Sequence, residues 1–86
     1  MVTVEYKGKK FSFKDKVEYV DMLIGETLAA KETKDAVEMG ALAQIYILAQ
    51  LSLEPKLTFK DLNTPFGNFV FSKLVGLFKE YQESFL

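Results

Sequence analysis

Polar and apolar residues alternate at the start of the chain: Val2, Val4 and Tyr6 are separated by Thr3, Glu5 and Lys7, and beyond Gly8 the pattern resumes with Phe11 and Phe13 around Ser12. Period-two spacing is the mark of a half-buried strand. It predicts a β-hairpin over residues 2–13 turning at Gly8-Lys9, where glycine supplies the positive φ of a tight turn. A lone hairpin is marginally stable in water, so its Val, Tyr and Phe face must lie against other elements.

The spacing then changes to three and four. Asp15 followed by Glu18 reads as a capping box with Asp in place of Ser or Thr, and it predicts a first helix over residues 16–31. Val17, Val20, Leu23, Ile24 and Leu28 form its apolar stripe, leaving Glu18, Asp21 and Glu32 toward water. Gly25 lies off the centre of that stripe, where it allows a close helix contact. The polar stretch Lys31 to Asp35 breaks the pattern, and Asp35 with Glu38 repeats the cap signal ahead of a second helix over residues 36–53. From Ala41 to Leu53 the only polar side chains are Gln44, Tyr46, Gln50 and Ser52, so this helix is apolar nearly all round and belongs at the centre.

Glu54-Pro55 ends the second helix, because proline lacks an amide hydrogen and holds its predecessor extended. In the connection that follows, Leu57, Phe59 and Leu62 fit either a short extended piece or, preferably, one helical turn capped by Thr58; both bury Phe59. Thr64-Pro65 opens a third helix over residues 65–84. Phe66, Val70, Leu74, Leu77, Tyr81 and Phe85 hold its main stripe, which Phe69, Phe71, Val75 and Phe78 widen beyond one face. The expected architecture is one α+β domain over residues 1–86, mainly helical: an N-terminal hairpin on three main helices, the second central and the C-terminal one amphipathic.

Composition adds a partner to this picture. Hydrophobic residues make up 49% of the chain and aromatic residues 14%, more than a core of this size hides comfortably. Phe69, Phe71, Val75 and Phe78 are the side chains for which the core has least room, and they are the expected interface with a protein partner or a second copy. The expected function is a non-enzymatic protein-protein interaction module that self-associates.

A second candidate surface is basic. Lys7, Lys9, Lys10, Lys14 and Lys16 cluster on the hairpin and the approach to the first helix, offset only by Asp15. Such an edge repels other strands and could also contact phosphate, which makes a nucleic-acid-associated protein the alternative reading. The net charge of -1, without arginine, weighs against nucleic acid. Ala36, Met39 and Gly40 suggest the turn of a helix-turn-helix, but the following LAQIYILAQ carries no charge to bring to a phosphate-lined groove.

Catalytic chemistry is short of parts. Without histidine, cysteine or arginine the usual general base, thiol nucleophile and bidentate anion clamp are missing. The acidic pairs Glu18/Asp21, Asp35/Glu38 and Glu80/Glu83 suit helix caps and solvated faces better than acid-base or metal chemistry. No glycine-rich phosphate loop occurs, so no cofactor is expected. The longest uncharged run, Met39 to Leu53, spans 15 residues, short of the ~20 needed for a membrane span. The alternating start does not suit a signal peptide, and a cytoplasmic location is expected.

The opening VTVEYKGKKFSF resembles the Gly-Lys hairpin that introduces some small tail-assembly chaperones and related accessory proteins of bacteriophages. The resemblance covers a dozen residues. It implies a phage or mobile-element accessory protein, such as an assembly chaperone or an inhibitor.

Overall fold

Two short strands, β1 (Val2–Tyr6) and β2 (Lys9–Phe13), pair antiparallel with Tyr6 opposite Lys9 and Val2 opposite Phe13. The computed structural model describes residues 1–85. The two-residue loop is Lys7-Gly8, one position earlier than the expected Gly8-Lys9, and both residues have positive φ, 49° and 80°. That pair of angles is the primed turn whose twist matches the strands it joins. Val4 and Phe13 point inward and are buried.

Four helices follow: α1 (Tyr19–Glu32), α2 (Ala36–Leu51), α3 (Phe59–Leu62) and α4 (Pro65–Glu83), with a third strand, β3 (Ser52–Glu54), between α2 and α3. The fold is α+β and mainly helical, as the pattern predicts. Ala43, Ile47, Leu48, Ala49 and Leu51 of α2 are all buried, and α1, α3 and α4 each pack on this helix. The molecule measures 37 by 30 by 18 Å, and at a helix diameter of about 10 Å its short dimension holds two layers.

Four helix boundaries differ from expectation, the first helix also running one residue further, to Glu32. The first helix starts at Tyr19, not at residue 16, because the Asp15 carboxylate lies 3.1 Å from the amino group of Met1 instead of capping a helix. The cap signal recurs three residues on: the amide of Glu18 donates to Asp21 Oδ2 at 3.0 Å. The second helix stops at Leu51, not at residue 53, and Ser52 and Leu53 are strand. β2 has a free edge, and Ser52–Glu54 fills it, pairing Phe13 with Ser52 and Ser12 with Glu54 across an irregular register. The third main helix, α4, ends at Glu83, one residue early.

The end of α2 is closed by side chains. Ser52 Oγ donates to Ala49 O at 2.7 Å and accepts the amide of Leu57 at 2.9 Å, while Lys56 Nζ donates to the carbonyls of Ala49 and Ser52 at 3.0 and 3.2 Å. A cation on the last carbonyls also suits the helix dipole. In the connection the helical turn forms, with the Thr58 and Asp61 side chains capping each other's amides. Leu57 and Leu62 anchor it in the core; Phe59, expected there, is half-buried against the Tyr46 ring, 4.5 Å between centroids.

The larger correction concerns α1. Its buried side is Asp21, Gly25 and Ala29, continuing from Val17, and not the Val20-Leu23 stripe. An i, i+4 ridge of small residues lets α1 settle closely on α2: a Cβ on Gly25 would lie 2.4 Å from Ile47 Cγ1 and 3.1 Å from the carbonyl oxygen of Ala43. Asp21, expected in water, is 4% exposed and paired with Lys14 at 2.8 Å.

Candidate interaction surface

With Gly25 and Ala29 inside, the larger residues of α1 are turned out. Tyr19 is 66% exposed, Val20 52% and Leu23 48%. From Tyr19 to Leu23 the only charged residue is Asp21, and it faces the core, so this outer surface is uncharged as well as apolar. A folded monomer of 9.8 kDa exposes about 5,200 Å² by the usual scaling with mass, whereas this chain exposes 5695 Å². Tyr19, Val20 and Leu23 account for part of that surplus.

Two clefts open beside α4. In the first, about 680 Å³, Val17 and Tyr19 face Leu77, Tyr81 and Phe85, with Asp15, Lys16, Glu18 and Glu80 at the rim. Tyr81 and Phe85 meet edge to face, centroids 4.9 Å apart, and Phe85 is 68% exposed. In the second, about 440 Å³, Met22 and Glu26 of α1 face Phe71, Val75 and Phe78 of α4 across a floor that includes Ala43 and Ile47.

The four expected interface residues therefore separate. Phe71, Val75 and Phe78 are half-buried and form one wall of the second cleft, with the Phe71 and Phe78 rings 5.4 Å apart. Phe69 lies on the hairpin side, its ring 5.1 Å from that of Tyr6, beside Phe66, which packs on both Tyr6 and Phe11. Val20 and Leu23, expected in the core on hydrophobicity alone, lie instead on this exposed face of α1. Gly25 and Ala29 at i, i+4, opposite Ala43, were the available signal.

The five lysines separate too. Lys7, Lys9, Lys10 and Lys16 are exposed; Lys7 Nζ stands 5.5 Å from the centre of the Tyr6 ring, and Lys10 sits opposite Glu5. Lys14 is withdrawn from the group, bonded to Asp21 at 2.8 Å and to Glu18 at 2.7 Å. Its hydrogen bond to Asp21, then that to Glu18, holds its ammonium above the usual lysine pKa. The amino group of Met1 lowers the pKa of Asp15 by hydrogen bonding and charge. The Tyr46 hydroxyl donates to Glu32, which raises its pKa.

The acidic pairs act locally. Asp35 accepts the amides of Val37 and Glu38 at 2.9 and 3.1 Å as the N-cap of α2, and Glu80 and Glu83 lie in the last turn of α4. Among the described residues no three carboxylates gather closely enough to hold a metal ion, and no helix is long and apolar enough to cross a membrane. Gly40 is exposed, with nothing within 4 Å of a Cβ placed there, and the uncharged segment after it supplies most of the α2 core. No family model, curated protein or solved structure matches the chain.

Proposed function

We propose that the chain is a non-enzymatic protein-protein interaction module that self-associates by covering the outer face of α1. The observation that carries this reading is the uncharged surface of Tyr19, Val20 and Leu23, each about half exposed or more on a two-layer molecule with no third layer to cover them. Phe71, Val75 and Phe78, on the wall of the neighbouring cleft, extend the apolar area available to a partner. An assembly chaperone or inhibitor of a phage or mobile element, which the hairpin's resemblance implies, is a protein of this kind. A nucleic-acid contact is less well supported, since Lys14 is committed to Asp21 and Glu18.

Light scattering after size exclusion tests the proposal. The wild type is expected above the monomer mass of 9.8 kDa at high micromolar concentration. Leu23→Asp, at a half-exposed helical site, is expected to keep the helical circular dichroism and fall to the monomer. A wild type that remains monomeric throughout would refute self-association.

A further inference from the structure

The two ends of α4 carry opposite charge. At its N-terminal end lies the hairpin tip, fixed there by Tyr6 against Phe66 and Phe69. The tip presents Lys7, Lys9 and Lys10 against the single carboxylate of Glu5. At the C-terminal end lies the aromatic cleft. Of its rim carboxylates, Asp15 is matched by the Met1 amino group, while Lys14 is shared between Glu18 and buried Asp21 and leaves one negative charge over. Glu80 makes no ion pair among the described residues, and Glu83 stands in the same last turn, which contains no basic residue. Lys16 opposes them at the rim, and exposed Lys79, one residue before Glu80, turns to the second cleft instead. The helix dipole of α4 adds to both ends with the same sign, positive at the tip and negative at the cleft.

We propose that the lysine-bearing hairpin tip of one copy seats in the aromatic cleft of a second copy. This rests on the reading that the chain self-associates, and it adds to the apolar contact at α1 a second, polar pair of surfaces that adjoins it at Tyr19. A single copy cannot make the contact, because Phe69 beside the tip and Tyr81 in the cleft are separated along α4 by about 18 Å of rigid helix. The cleft suits an ammonium group: Tyr19, Tyr81 and Phe85 line it with aromatic rings, and Glu80 adds a carboxylate without an ion-pair partner among the described residues. Lys7 already lies over an aromatic ring within its own chain, so the tip meets in the cleft the same chemistry it has at home.

Charge reversal tests the pairing with variants chosen to fold. Lys7→Asp with Lys9→Glu makes the tip acidic while keeping a residue that suits positive φ before Gly8. Glu80→Lys with Glu83→Lys makes the cleft basic and places cations where the helix dipole favours them. Each double variant alone puts like charges together, and its apparent dissociation constant by sedimentation is expected to rise about tenfold or more. An equimolar mixture restores association, since the acidic tip of one matches the basic cleft of the other. Wild-type association should also weaken between about 30 mM and 0.5 M salt, as screening shortens. If both double variants associate as the wild type does while Leu23→Asp does not, the tip-to-cleft pairing is wrong and apolar self-association stands. If the wild type never associates, both fail.

Discussion

Gly25 is where the architecture of α1 can be tested most directly, because its surroundings are closed while those of Gly40 and Gly76, also in helices, are open. Replacing glycine by alanine in an open helix stabilises by about 1 kcal/mol, since alanine loses less backbone freedom on folding. Gly40 in α2 and Gly76 in α4 have nothing within 4 Å of an added Cβ, so Gly40→Ala and Gly76→Ala should show this gain. At Gly25 the added carbon would meet Ile47 Cγ1 at 2.4 Å, and Ile47 cannot turn aside because a β-branched side chain in a helix has essentially one χ1. The carbonyl of Ala43 at 3.1 Å closes the other direction. The helices must separate, at an overpacking cost of about 1–3 kcal/mol. Gly25→Ala should therefore destabilise by about 1 kcal/mol net, a spread of about 2 kcal/mol from the two controls and roughly 10 °C in Tm. Urea unfolding monitored by circular dichroism measures it. Combined with Ile47→Ala, which alone costs about 3 kcal/mol, the loss should fall short of additive by about 1 kcal/mol or more. A Gly25→Ala variant as stabilised as the Gly40 and Gly76 variants would mean that α1 does not meet α2 through this ridge.

Lys14→Met leaves the Asp21 carboxylate buried without its cation and should cost roughly 3 kcal/mol in urea unfolding, whereas a loss under about 0.5 kcal/mol would mean that Asp21 is solvated. The pKa values of Lys14 and Tyr46 are both raised in the fold, so their contributions are complete below the unfolded values near 10.4 and 10 and are lost as pH rises through the higher folded values. Stability should fall above about pH 10, and Tyr46→Phe should remove its part of that fall; a urea midpoint unchanged to about pH 11 would contradict both pairings. Ser52→Ala deprives the buried amide of Leu57 of its acceptor and should cost about 1–3 kcal/mol, read the same way. Gly67→Ala should do worse than any of these by thermal melt, because the added carbon would lie 1.6 Å from the backbone oxygen of Leu62, which has no side-chain torsion to give.

Much of the fold could be read from local chemistry. The hairpin follows from alternation, the α2 cap from Asp35, the α3 turn from Thr58 and the start of α4 from Thr64-Pro65, all signals contained within a few residues. What could not be read depended on contacts distant in the chain. Nothing near Ser52 announces a strand; it becomes one because β2, some forty residues earlier, leaves an edge to fill. Asp15 resembles a cap until the amino group of Met1 takes its carboxylate. The basic cluster looked continuous in the sequence, but Lys14 leaves it for a buried partner seven residues on.

The inversion of α1 follows from the same balance of local and distant effects. Burying the Val20-Leu23 side against α2 would remove more apolar surface from water per chain, yet it would hold the two helices apart by the width of two large side chains. The Gly25-Ala29 side brings backbones into direct contact and lets Asp21 reach Lys14 at the end of β2, tying helix to sheet. Within one chain, then, the arrangement leaves apolar burial unclaimed at Tyr19, Val20 and Leu23. At about 25 cal/mol per Å² of apolar surface, covering even about 200 Å² of this face would be worth about 5 kcal/mol before the cost of association. A second copy is the partner always present at the same concentration as the surface itself. If self-association uses this face as proposed, a variant that loosens the packing of α1, such as Gly25→Ala, should weaken association as well as stability even though residue 25 is buried against α2.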